Sequence, residues 1–349
     1  MNKNGQENIL VIGPAWIGDM VMAQSLFISL KEAYEDCRLS VMAPAWTRPL
    51  VERMPEVDTS FDLPIKHNEL NLRSRRSLGK MLATESFTRA IVLPNSFKSA
   101  LIPFYAGIAK RIGWRGEWRN LLLTDCRRLD KNKFPLMVQR FNALAFPESS
   151  LPPRNSPPPR LAVDPEKVAV TLADFHLDGS ARNLAICPGA EFGASKQWPA
   201  EHYAEASRAL IAEGWTVWIF GSASDEHVAE SIMAGLDSDK RQSCINLAGR
   251  TSLAQAIDLM SSTQAVIAND SGLMHIAAAL DKPVVALYGS TSPDFTPPLA
   301  DNVKLLFTDI ECRPCFKRDC PYGHLRCLKE LEPIRAIRAV QELTGAYQN

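Results

Sequence analysis

Gln264-Ala265-Val266-Ile267-Ala268-Asn269-Asp270-Ser271-Gly272-Leu273-Met274-His275, running on to Ala279, is the stretch whose reading decides the fold. Ala265 to Ala268 is a short apolar run, the pattern of a parallel strand buried on both faces. Asn269 to Gly272 are turn and helix-capping residues. Leu273 to Leu280 reads as a helix that ends at Lys282-Pro283, and Pro283 to Tyr288 is the next strand. Open α/β sheets bind ligands at the carboxyl ends of their strands. The free amides of Ser271, Gly272 and Leu273, with the helix dipole behind them, favour an anion at that turn. Gly272 lets a phosphate approach the backbone. The alternative is that Asp270 and Ser271 only cap a helix, and this stretch alone leaves both open.

The same rhythm precedes it. Leu184 to Cys187 is a strand, Pro188 to Pro199 a long loop carrying Gly189 and Lys196, and Ala200 to Glu213 a helix. Trp215 to Phe220 is a strand that ends in Gly221 to Glu226, and Asn246 to Ser252, with Gly249, is another strand-end loop. Four consecutive polar or glycine-bearing loops could line one cleft. Lys196 is either a surface lysine or, if its loop faces Ser271 and Gly272, the neutraliser of a phosphate. Asp225 and Glu226 stand where acids beyond a strand bind a ribose diol, or they are plain first-turn helix acids. Asp237-Ser238-Asp239 reads as solvated loop rather than a metal motif.

The first half begins with a strand at Ile9 to Ile12, a glycine-bearing loop from Gly13 to Asp19, and a helix from about Met20 to Tyr34. The loop lacks the G-x-G-x-x-G spacing and carries Pro14 and Trp16, which argues against a nicotinamide site. Asp19 either complements the helix dipole or serves as a carboxylate base. Leu39 to Ala43 and Ala90 to Leu93 are further strands, the latter followed by Pro94 to Ser99 with Asn95 and Lys98. Basic residues gather at Arg73, Arg75, Arg76 and Lys80, at Lys110, Arg111, Arg115 and Arg119, and at Arg127, Arg128, Lys131 and Lys133. Leu101, Ile102, Phe104, Tyr105, Trp114 and Trp118 lie among them. Such a mixture dips into a bilayer interface or is a solvated face over a core. No recognition motif accompanies the charge, so nucleic acid is not expected.

A chain of 349 residues suggests two domains. Seven prolines between positions 147 and 165 make a stiff linker and the domain boundary. Net charge is zero, yet residues 1–150 hold 21 Lys and Arg against 15 acids and the remainder 18 against 24. The first half therefore suits an anionic partner. Neither a membrane-length apolar run nor a signal peptide is visible, so a cytoplasmic protein is expected. Its cysteines should then be reduced thiols or metal ligands. Cys312, Cys315, Cys320 and Cys327, with His324 nearby, suggest a structural zinc. Their spacing is irregular for a zinc ribbon, and free thiols or an oxidation-prone pair are the alternatives.

Four runs taken together resemble a known family: Ile12 to Met20, Leu93 to Ala100, Cys187 to Gly193 with Lys196 and Trp198-Pro199, and Asn269 to His275. In this order they are similar to the ADP-heptose:lipopolysaccharide heptosyltransferases, over about residues 8 to 345. The likeness is greatest to the branch that acts on a core already carrying one heptose. The resemblance implies an α/β GT-B fold, two Rossmann-like domains facing across a cleft. Residues 1–165 would be the acceptor-binding domain and 166–332 the ADP-sugar domain, with 333–349 a helix crossing back to the first. It implies inverting transfer of L-glycero-D-manno-heptose from ADP-heptose to the first heptose of the inner core, on Kdo-lipid A, with no cofactor required. Asp19 would be the base, Lys196 the phosphate-binding lysine and Asp270 a further catalytic carboxylate. Gly189, Asp225, Gly249, Asp270, Ser271, Gly272 and His275 would hold the donor, and Asn95, Lys98 and Arg115 the acceptor. The protein would work peripherally, at the cytoplasmic face of the inner membrane. The same chemistry on another core acceptor, a nucleotide-sugar epimerase and a non-catalytic nucleotide-sugar-binding protein are the alternatives.

Overall fold

The computed structural model describes residues 6–65, 69–148 and 155–345. Pro152 and Pro153 of the proline-rich stretch lie outside the described residues. The chain divides into two compact units, Met1–Pro159 and Arg160–Asn349.

The first unit is built on a parallel sheet of β1 (Asn8–Ile12), β2 (Arg38–Ala43), β3 (Thr59–Asp62), β4 (Arg89–Val92), β5 (Lys110–Trp114) and β6 (Asp125–Arg127). Their order across the sheet is β3-β2-β1-β4-β5-β6. β1 is central and buried throughout, which is why it reads as an unbroken apolar run. Ile12 aligns with Met42 on one side and Val92 on the other. The helix Ile17–Ala33 follows β1 directly and is buried from Met20 to Leu30.

The second unit repeats the plan with β7 (Asn183–Cys187), β8 (Thr216–Ile219), β9 (Cys244–Asn246), β10 (Ala265–Asn269), β11 (Val284–Leu287) and β12 (Val303–Leu306). Here the order is β12-β11-β10-β7-β8-β9. Counted from its own first strand, this is the same doubly wound order as in the first unit. Trp198, Tyr203, Trp215, Leu328 and Val340 pack in its core. The helix Pro333–Leu343 lies against β10, β11, β12 and the helix Ala200–Ala212.

In a sheet of this order the connections leave in opposite directions on either side of one point, and the diverging loops open a crevice there. That point falls between β1 and β4 in the first unit and between β7 and β10 in the second. The fold thus brings Gly13–Trp16 beside Pro94–Lys98, and Pro188–Gln197 beside Asp270–Gly272.

Candidate active site

In the second unit the two switch-point loops are tied by polar contacts. Asn269, fully buried at the end of β10, accepts from the Trp198 amide at 3.2 Å and the Tyr203 hydroxyl at 3.1 Å. It also donates to the Pro188 carbonyl at 2.6 Å. With both loops fixed, the Lys196 ammonium meets the Asp270 carboxylate at 2.6 Å. Thr291 donates to the same carboxylate oxygen at 2.6 Å. Lys196 also lies 4.9 Å from the Phe192 ring centroid and keeps only 13% of its side chain exposed. A lysine this desolvated exerts a stronger field than a surface one.

Ser271 occupies the N-cap of the helix Gly272–Ala279, but its side chain makes no capping bond and its hydroxyl has no hydrogen-bond partner among the described residues. The first-turn amides therefore lack the cap that such positions commonly supply. His275, one turn on, is buried, and burial pushes its imidazole down to about 4. It stays neutral at physiological pH.

Asp225 forms a capping box with Ser222, whose amide and hydroxyl donate to one carboxylate oxygen at 2.8 and 2.7 Å. Two glycines make room for the acids. A Cβ on Gly189 would sit 2.5 Å from the Asp225 carboxylate. Gly249 has φ +70° and would drive a Cβ into Glu226. The sequence singled out Gly189, Gly249 and Asp225 separately; the structure brings them together beside Glu226.

In the first unit the crevice is a cavity of about 270 Å³. Asp19, in the first turn of the helix after β1, reaches its wall, as do Asn95 and Lys98 from the loop after β4. Trp16, Trp46, Arg75 and Arg140 line it as well. Arg75 is buried with carbonyl partners at Leu70, Glu69 and Lys98, and burial lowers its pKa. Arg140 is held by the Phe134 and Pro135 carbonyls. Arg115 stands apart: it is exposed on the turn after β5 and is not among the residues lining the cavity.

A model of glycosyltransferase family 9 (heptosyltransferase) matches residues 75–326. The chain belongs to that family. It is 46% identical over 340 residues to the lipopolysaccharide heptosyltransferase 2 of Salmonella typhimurium, covering 96% of this chain and 98% of that protein. Against the lipooligosaccharide heptosyltransferase 2 of Haemophilus influenzae it is 46% identical over 344 residues, 96% and 99% of the two chains. The solved structure of Escherichia coli ADP-heptose lps heptosyltransferase II superposes with a TM-score of 0.89 at 43% identity, covering 98% of this chain and all of that one. The α/β GT-B class expected from the sequence is borne out.

In this family 9 chain, of the apolar residues set among the basic clusters, Leu101, Ile102 and Trp114 belong to the core, while Phe104 and Trp118 are exposed. One expectation needs correction: the expected zinc is not met by the geometry. Cys312, Cys315, Cys320, Cys327 and His324 surround one small pocket. All four are free thiols, and among the described residues no three His, Cys, Asp or Glu side chains are arranged to hold a metal. Cys320 faces the backbone amides of residues 322–325, and His324 accepts from the Arg326 amide at 3.0 Å. Cys320 and His324 are thus engaged with nearby backbone amides.

The sequence did not single out Trp46, Arg75 or Arg140 as cavity residues. An arginine that satisfies carbonyls carries no local signature that sets it apart from a solvated one.

Proposed function

We propose that this chain is an inverting heptosyltransferase that moves L-glycero-D-manno-heptose from ADP-heptose to the first heptose of the lipopolysaccharide inner core, carried on Kdo-lipid A. The observation that carries the reading is the Lys196–Asp270 pair beside an uncapped helix N-terminus, in a chain 46% identical to a heptosyltransferase 2 over nearly its full length.

Inversion takes one in-line displacement at the anomeric carbon. The bond to the diphosphate breaks and ADP leaves with added negative charge. Lys196 and the amides of Ser271, Gly272 and Leu273 stabilise that charge, a set that serves the leaving group without a divalent ion. Asp270 holds Lys196 in place and, as a carboxylate, offsets the positive charge that develops on the sugar ring. Asp225 with Glu226 takes the ribose hydroxyls, in the space that Gly189 and Gly249 leave open. His275 stays neutral behind the phosphate site and packs the helix against Asp270. Asp19 takes the proton of the acceptor hydroxyl as the new bond forms. Asn95 and Lys98 bind the acceptor sugars, and Arg115, on the neighbouring turn, meets anionic groups further along the acceptor. Because that acceptor is anchored in lipid, the enzyme works peripherally at the cytoplasmic face of the inner membrane. No helix among the described residues is long and apolar enough to cross it.

The test is transfer of heptose from ADP-heptose to lipid-linked cores bearing no heptose, one or two. Transfer confined to the one-heptose core is expected. Transfer to the heptose-free core would assign the chain to the preceding step, and conversion of ADP-heptose without any acceptor would favour an epimerase.

A further inference from the structure

Seven tryptophans divide cleanly. Trp114, Trp198, Trp215 and Trp218 are buried, whereas Trp16, Trp46 and Trp118 are 46%, 55% and 81% exposed. All three exposed ones lie just past the carboxyl ends of strands in the first sheet, after β1, β2 and β5. Trp16 and Trp46 wall the cavity, and the Trp46 indole donates to the Ala15 carbonyl at 3.1 Å. Trp118 walls nothing there. Three residues on, Leu121 is 77% exposed. Trp118 and Leu121 thus form a pair of bare, large apolar side chains on one turn, and such a cluster is a candidate contact surface.

The turn that carries them is held firmly at its base. Arg119, fully buried between the two, donates to the carbonyls of Trp114 at 2.8 Å, Val92 at 3.3 Å and Pro94, and to the Ser99 hydroxyl at 3.3 Å. Leu122 and Leu123 are buried directly after Leu121. The turn also grips the loop that walls the cavity. The Glu117 carboxylate accepts from the Phe97 amide at 2.5 Å, and a Cβ on Gly116 would lie 2.6 Å from the Asn95 carbonyl. Trp118 and Leu121 are thus presented outward by a fixed base next to the acceptor loop.

The charge around them is positive. Residues 110–133 hold eight Lys and Arg against three acids. The Arg115 amide donates to the Arg127 carbonyl, so the chain leaving β6 runs along the same sheet edge. On it Arg128, Lys131 and Lys133 are exposed, as is Arg115. Aromatic and aliphatic tips ringed by cations match the headgroup boundary of an anionic bilayer, where indole rings settle and basic side chains meet lipid phosphates.

We propose that the Trp118–Leu121 turn is the membrane anchor of this chain, entering the headgroup–acyl boundary of an anionic phospholipid surface while Arg128, Lys131 and Lys133 bind lipid phosphates. The proposal rests on the reading of a lipid-anchored acceptor. It places the cavity mouth beside the surface from which that acceptor projects.

The test is co-sedimentation of the full chain with vesicles of phosphatidylethanolamine and phosphatidylglycerol, and with vesicles of phosphatidylcholine alone. Wild type should pellet with the anionic vesicles and be released by salt. The double variant Trp118→Ser, Leu121→Ser should bind them on the order of tenfold more weakly, and Trp118→Phe should retain most of the binding. Turnover on a deacylated, soluble acceptor should be unchanged in the double variant, while turnover on acylated acceptor embedded in vesicles falls. Equal vesicle binding by the double variant and wild type would overturn the proposal, as would equal binding to both lipid compositions or to neither. Loss of turnover on the soluble acceptor would place the turn in the acceptor site instead. Vesicle binding is read without catalysis, so an error in the assigned reaction would not mimic any of these results.

Discussion

His275 offers a test of the buried site in the second unit that does not depend on turnover. Burial lowers its imidazole from 6.5 to about 4, with Asp270 pulling it up and Lys196 pushing it further down. An unfolded chain takes up this proton near the ordinary value, whereas the folded chain refuses it until near 4. Between those limits the unfolded state binds more protons, so stability falls as the pH falls. The stabilisation is complete above the unfolded value and is lost progressively on acidification toward the folded one. The full separation corresponds to about 3 kcal/mol, of which about 2 kcal/mol is gone by about pH 5. Urea unfolding of wild type and His275→Gln, followed by the fluorescence of the buried Trp198, Trp215 and Trp218, measures it. The glutamine variant starts less stable because it repacks a buried site. Its further loss between about pH 7.5 and about pH 5 should nonetheless be smaller than that of wild type by about 2 kcal/mol. Identical acid-induced losses in the two proteins would refute the argument that a neutral, buried imidazole is part of the folded state.

Asp19→Asn should lower kcat by roughly a hundredfold or more while leaving ADP affinity intact, measured by steady-state transfer and calorimetry; near-normal turnover would remove Asp19 as the base. Lys196→Ala leaves the Asp270 carboxylate with Thr291 as its remaining side-chain partner among the described residues, and should cost about 2–4 kcal/mol of stability and weaken ADP binding by about ten- to a hundredfold. A loss of stability with unchanged ADP affinity would make the pair purely structural. Gly249→Ala forces a side chain into a positive-φ position against Glu226 and should cost about 1–2 kcal/mol. It should raise the donor KM more than it lowers kcat, and the reverse pattern would count against a ribose role for Asp225 and Glu226.

The parts of the fold that could be read from the sequence are those whose environment is uniform. β1, β7 and β10 lie in the middle of their sheets, are buried on both faces, and appear as unbroken apolar runs. β3 and β12, at the sheet edges, are only half-buried, and their Thr59–Asp62 and Val303–Leu306 sequences show no such run. β5 opens with Lys110-Arg111 and reads as part of a basic cluster, although Ile112 to Trp114 are buried. Within the site, Lys196 and Asp270 are 74 residues apart. Their pairing follows from topology, because β7 and β10 are neighbours, and no local pattern could have shown it. Arg75 and Arg119 stand in strongly basic stretches that suggest solvated surface. Each is buried instead, because backbone carbonyls at loop ends need donors and a guanidinium supplies several at once. The cysteines misled in the opposite sense: their spacing brought them around one pocket, but ligation also needs the sulfurs to converge.

The loop bearing Lys196 is braced by chain that comes much later. Ser195 pairs with Ser290 at 2.9 Å, and its amide donates to the Arg318 carbonyl at 3.1 Å. The indole of Trp198, at the far end of the same loop, donates to the Leu331 carbonyl at 2.8 Å. During synthesis β7 and its loop leave the ribosome long before these partners exist. The Lys196 loop is therefore among the last parts of the molecule to take shape, and a nascent chain that has not reached Leu331 carries that lysine without its brace. On the proposed role of Lys196, a chain cut short before Leu331 should bind ADP more weakly than the full chain.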